Sequence, residues 1–184
     1  VSLQLFAGLA AASPGKREAD GAAFRLTSEN VRKTTEVIRI INGKIKANPS
    51  LAKRLRAPAS AREDGVDNGD EFSIDQVAQQ IEGEPVMRQA LTAAGISSRD
   101  FELTQFSIFT ASMTVMARKM GDKSRIEGVA AANVTWLENH PAEVQRFGEQ
   151  MKENQRLLDP GTERRSRSEE EPGGAEQGGE KGDN

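Results

Sequence analysis

His140 is the one histidine of the chain, and cysteine and tyrosine are both absent. Serine hydrolysis would have to pass its proton through His140, which stands between Asn139 and Pro141. That chemistry needs a nucleophile and an orienting carboxylate converging on the imidazole, and no nucleophile-elbow glycine pattern supplies one. A hydrolase using His140 is therefore the least favoured of three readings. With no thiol there is no disulfide framework, thiolate nucleophile or zinc ribbon. No glycine-rich loop stands ready to cradle a phosphate. The expectation is of no enzyme, no cofactor and no resident metal.

Three further groups of residues have types and spacing suited to binding. Met113, Met116 and Met120 fall on one helical face, a thioether arrangement that soft metals accept, but no histidine or methionine-rich loop supports it. The segment from Asp64 to Asp75 brushes against a calcium-loop pattern, yet Val66 occupies a ligand position and Asp75 stands where a bidentate glutamate belongs. It reads as an acidic turn. Phe106, Phe109, Met113 and Met116 carry the strongest binding candidate, because a methionine-rich helix face adapts to an apolar ligand or a partner helix.

Charge narrows the partners. The net charge of −3 recommends neither nucleic acid nor an anionic surface. Its distribution is uneven. Residues 24–57 hold nine basic side chains against Glu29 and Glu36, whereas residues 58–100 hold nine acids against Arg62, Arg88 and Arg99. Such blocks attract each other, or a second copy, before they recruit a polyanion, and no aromatic residues are interleaved with the basic ones as stacking platforms. The expected partner is a protein or the chain itself, not nucleic acid.

The elements that would position these residues are helical throughout. Ser28 serves as the expected cap of a helix to Ala47, with Val31, Val37, Ile38, Ile41 and Ile45 on one side and Arg32, Arg39 and Lys46 on the other. Ser73 and Gln76 form a capping box ahead of Ile74, Val77, Ala78 and Ile81. A short helix follows from Pro85 to Ala94, stopped by Gly95. A longer one, capped by Ser97 or Ser98, runs to Met120, and another from about Ser124 to Asn139 turns Val129, Ala132, Trp136 and Leu137 inward. Asn48-Pro49, Glu84-Pro85 and His140-Pro141 each break a helix and restart it. Residues 103–117 carry no charge at all, so that helix is expected at the centre of the bundle. At about 15 uncharged residues with many hydroxyls it falls short of a membrane span.

The predicted architecture is all-α: an irregular bundle of about six helices around the helix of residues 98–120. The helical domain covers residues 24–158 and includes an acidic loop at 58–71. Residues 1–23 read as a signal-peptide remnant and flexible N-terminus, because the apolar run of residues 3–12 ends in small residues. Residues 159–184, rich in glycine and charge, read as a disordered tail.

Two segments, Leu26-Thr-Ser-Glu-Asn-Val-Arg-Lys33 and Pro85-Val-Met-Arg-Gln-Ala-Leu91 continuing through Gly95-Ile-Ser-Ser-Arg-Asp-Phe101, together resemble small exported helical proteins of bacteria to which no activity is assigned. The resemblance implies export and an all-α fold, and transfers no role to any residue. The expected function is a non-enzymatic binding or interaction module in the periplasm or beyond, with a cytoplasmic location as the alternative. The alternative function is a carrier holding an apolar ligand against Phe106, Phe109, Met113 and Met116.

Overall fold

The computed structural model describes residues 23–60, 73–121 and 126–159, with the side chains of 57–60 excepted. These residues form seven helices and no strand: α1 Ser28–Ala47, α2 Ser50–Ser60, α3 Ile74–Gly83, α4 Pro85–Ala94, α5 Ser98–Lys119, α6 Gly128–Asn139 and α7 Pro141–Leu158. The signal-peptide and tail readings, and most of the acidic loop with its calcium-like pattern, lie outside the described residues.

Local chemistry explains most of the boundaries. Thr27, one residue before the expected Ser28, caps α1 by accepting from the Asn30 amide at 3.1 Å. Ser28 is thereby free for a longer-range task, and its hydroxyl donates to the Glu143 carboxylate on α7 at 3.0 Å. Ser73 and Gln76 make the reciprocal capping box of α3, which satisfies two amides that the first turn leaves without helical partners. Pro85 and Pro141 occupy the first turns of α4 and α7, where a missing amide costs nothing. Gly95 closes α4 in the left-handed region at φ 66°. All three X-Pro pairs fall at junctions between helices, and the aliphatic residues four before each proline, Ile45, Ile81 and Leu137, face the core.

Two helices share the centre. α1 packs on α2, α4, α5 and α7, while α5 packs on α1, α3, α4 and α6. Between them they touch every other helix. Val31, Val37, Ile38, Ile41 and Ile45 of α1 are all buried, and Arg32, Arg39 and Lys46 are exposed on its other side. Each of those aliphatic side chains adds about 1.5–3 kcal/mol of burial free energy. The α1–α7 contact also contains a polar tie. The Asn42 side chain donates to the Gln150 carbonyl at 2.9 Å, and Asn154 donates to Asn42 Oδ1 at 2.7 Å. Lys46 and Glu153 pair at the edge of the same contact.

Two expectations require correction. The helix of residues 98–120 is central only in its first half: Phe101, Leu103, Ile108 and Ala111 are buried, whereas Phe109, Met113, Met116 and Met120 are exposed. An uncharged segment can occupy an interior but does not guarantee that neighbouring helices extend along its full length. The inward face of α6 is also rotated. Asn133, Val134 and Leu137 are the buried residues, and Val129, Ala132 and Trp136 are only partly covered. Asn133 is tolerated inside because its amide satisfies two backbone groups, accepting from Leu26 N at 2.9 Å and donating to Phe24 O at 3.0 Å.

The basic and acidic blocks meet where Arg54 of α2 reaches Glu84 at 3.4 Å, between α3 and α4. Arg99 and Asp75, both within the acidic block, pair between α5 and α3. Part of the charge asymmetry is thus resolved within one copy of the chain.

Candidate functional site

α5 starts from a well-made cap. Ser97 accepts from the Asp100 amide at 3.0 Å and donates to the Asp100 carboxylate at 2.9 Å. Ser98, buried beside it, donates to the Glu82 carboxylate on α3. The first half of the helix is then fixed on every side, since Phe101, Glu102, Leu103, Thr104 and Gln105 are buried in succession. Thr104 returns its hydroxyl to the Asp100 carbonyl at 2.7 Å, the local bond that lets a buried threonine satisfy itself. Ser107 Oγ, equally buried, finds no hydrogen-bond partner among the described residues.

Beyond Ser107 the surroundings change. Phe106 is half-buried, but Phe109 is 46% exposed, Met113 50%, Met116 55% and Met120 76%. Residues 106, 109, 113, 116 and 120 follow one another at steps of three, four, three and four, the spacing of a coiled-coil seam. Ala111 and Ile108, on the opposite face, are the residues buried against the bundle. The positions flanking the seam are Thr110, Ser112 and Ala117, small and uncharged, so another helix can approach closely. Thr110 and Thr114 donate to the carbonyls of Phe106 and Thr110 at 3.0 and 2.9 Å, which leaves little polar demand on that side.

The four exposed side chains present roughly 400 Å² of contiguous apolar surface, taking about 200 Å² for a fully exposed large side chain. That is the size of the largest apolar patch on a typical monomer, which is often functional. Of the ligand-site candidates Phe106, Phe109, Met113 and Met116, the last three lie on an open face of α5. Met113, Met116 and Met120 share this exposed face. Among the described residues no three histidine, aspartate or glutamate side chains come together to hold a metal ion.

A groove does exist elsewhere, between α3, α4 and the start of α5, with a volume of about 490 Å³. Leu91 and Ile96 line it together with Glu82, Arg88, Thr92 and Ser98. Its polar groups are occupied with each other: Glu82 takes the Ser98 hydroxyl, Arg88 Nε donates to the Glu82 carbonyl at 3.0 Å, and Thr92 donates to the Arg88 carbonyl at 2.9 Å. Their role is that of a joint between three helices.

His140 is similarly engaged. It closes α6, its Nδ1–H donates to the Trp136 carbonyl at 2.8 Å, and its ring stacks on the Trp136 indole with centroids 4.4 Å apart and planes 8° from parallel. The same residue accepts the first amide bond of α7 from Val144 at 3.1 Å. One nitrogen and one ring face are thereby committed to holding the α6–α7 corner.

Asn133 and the Asn42–Asn154 pair carry no sequence signal, because their partners lie more than a hundred residues away. No helix among the described residues is long and apolar enough to cross a membrane. Compared with protein families, curated proteins and solved structures, the chain matches none.

Proposed function

We propose that the protein is a non-enzymatic interaction module whose working surface is the outer face of α5, and that it binds a partner helix bearing an uncharged apolar seam. One observation carries this reading: Phe109, Met113, Met116 and Met120 stand exposed in coiled-coil register on a helix whose opposite face is core. An amphipathic helix seats against such a seam by placing its own apolar residues at matching steps. Methionine suits the task because its unbranched thioether side chain adapts to different shapes. The absence of charge at Thr110, Ser112 and Ala117 favours an uncharged partner face, since a charged one would lose water without gaining a counter-ion.

The carrier reading requires walls around Phe106, Phe109, Met113 and Met116, and three of these four lie on an open surface. The docking reading is therefore preferred. Export to the periplasm or beyond is part of the proposal and rests on the apolar run of residues 3–12 alone.

The test places a photo-crosslinking amino acid at position 109 or 113 of the full chain in its native cell, with the exposed position 32 as control. Discrete crosslinked species of higher mass are expected from 109 and 113, and their loss on adding Met116→Glu. Equal crosslinking from position 32, or crosslinking indifferent to Met116→Glu, overturns the proposal.

A further inference from the structure

We propose that the α5 seam pairs with its own image on a second copy of this chain, the two α5 helices meeting antiparallel along Phe109, Met113, Met116 and Met120 in a weak, reversible dimer. The inference rests on the reading of α5's outer face as a helix-docking seam, and names what docks there.

The seam needs a helix with exposed apolar residues at coiled-coil steps and no charge on the facing side. Among the described residues α5 itself is such a helix. Phe109, Met113, Met116 and Met120 are the exposed large hydrophobic side chains, and all four stand on this one face. The outer faces of neighbouring helices carry charge instead: Arg32, Arg39 and Lys46 are exposed on α1, and Arg146, Glu149 and Lys152 on α7.

Register selects the orientation. With a two-fold axis between Thr114 and Val115, Phe109 lies opposite Met120 of the second copy and Met113 opposite Met116. The exposed side chains then form four layers with none left over. Two of those layers set a thioether against a phenyl ring, a contact that adds to the apolar burial.

Charge selects the same orientation. Lys119 flanks the seam at the C-terminal end of α5 and falls beside Ser112 of the second copy, so the two lysines lie at opposite ends. A parallel pair would bring both Lys119 side chains, both Arg118 side chains and both helix C-termini to one end, where like charges and like dipole ends repel.

Area sets the strength. Pairing covers roughly 400 Å² of apolar side chain on each copy, about half of the 800 Å² that a stable interface buries per partner. The dimer therefore forms at high concentration and opens on dilution, and a separate helix with a better-fitting seam competes with it for the same face.

Sedimentation equilibrium of the purified full chain is expected to show monomer and dimer in concentration-dependent exchange, with a dissociation constant of micromolar or weaker. Met116→Glu, with its fold checked by circular dichroism, should weaken the dimer at least about tenfold, because each copy would bury a carboxylate without a counter-ion. High salt should leave the dimer in place, since the seam is uncharged. A monomer at all concentrations overturns the inference, as does a dimer that dissolves in salt or is indifferent to Met116→Glu.

Orientation has its own readout, and the absence of cysteine gives it a clean background. A mixture of Phe109→Cys and Met120→Cys chains should oxidise to the mixed disulfide several times faster than either variant links to itself. Phe109→Cys chains that link to one another as fast contradict the antiparallel layers. Crosslinking in the native cell reports separately: a monomeric chain that still crosslinks to a different protein from positions 109 and 113 sinks the second copy and leaves the docking seam standing.

Discussion

At the scale of single residues, Asn133 shows how one side chain replaces a stretch of secondary structure. Residues 24–27, just before α1, belong to no helix or strand, and the Asn133 amide supplies an acceptor to Leu26 and a donor to Phe24. Asn133→Ala strands the buried Leu26 amide and should cost about 2–3 kcal/mol of stability. Asn133→Asp keeps the acceptor, loses the donor and brings a charge inside, so it should also destabilise. Urea unfolding followed by the fluorescence of Trp136, the single tryptophan, measures both, and an unchanged midpoint for Asn133→Ala would show that the clamp is dispensable. The sequence could not announce this residue. An asparagine amid Ala132 and Val134 looks like a polar interruption until its partner more than a hundred positions earlier is known. His140, by contrast, was readable from its place before Pro141 as a corner residue, and only its stacking on Trp136 needed coordinates.

At the scale of elements, the helix ends were legible because their chemistry is local. Ser73 with Gln76, Pro85 and Gly95 each act within a few residues of themselves, and all three junctions fall where the sequence puts them. The one-residue error at Thr27 has the same origin, since adjacent Thr27 and Ser28 both carry a hydroxyl and only the fold decides which one turns to Glu143. Gly95 allows a clean measurement. An added Cβ would meet no atom within 4 Å, so Gly95→Ala pays only for its φ of +66° and should destabilise by about 1 kcal/mol. A stability unchanged by the substitution would mean that α4 ends differently in solution. On α1, hydrogen bonding to Arg39 holds the Glu36 carboxyl below its ordinary value of 4.5. A lowered carboxylate contributes stability above that value and loses it as pH falls through the folded-state pKa. Glu36→Gln should therefore slightly flatten the loss of stability between about pH 5 and pH 3, and leave stability at pH 7 little altered because the pair is exposed. Acid titration of the circular-dichroism signal of both proteins checks this; an acid limb that steepens in the variant contradicts the sign.

At the scale of the whole molecule, the all-α bundle followed from patterns that repeat along the chain, but its centre did not. Residues 103–117 are uncharged throughout, which is equally compatible with burial on all sides and with burial on one side plus an apolar outer face. What decides between these is how far the neighbours extend: Ser98 and Arg99 at the start of α5 bond to Glu82 and Asp75 of α3, and the fully buried residues of α5 end at Ala111. No property of residues 109–120 themselves records that. The same division predicts where stability resides. Ile41→Ala on α1, where the side chain is 4% exposed, should cost 2–5 kcal/mol, because it opens a cavity between helices that cannot close on it. Met116→Ala should cost about 1 kcal/mol or less, since a half-exposed side chain leaves no buried void, while weakening whatever binds the seam. Chemical denaturation of the two variants makes the comparison. If Met116→Ala proved as damaging as Ile41→Ala, the outer face of α5 would belong to the core of a larger assembly required for folding, and a reversible docking surface would be the wrong description of it.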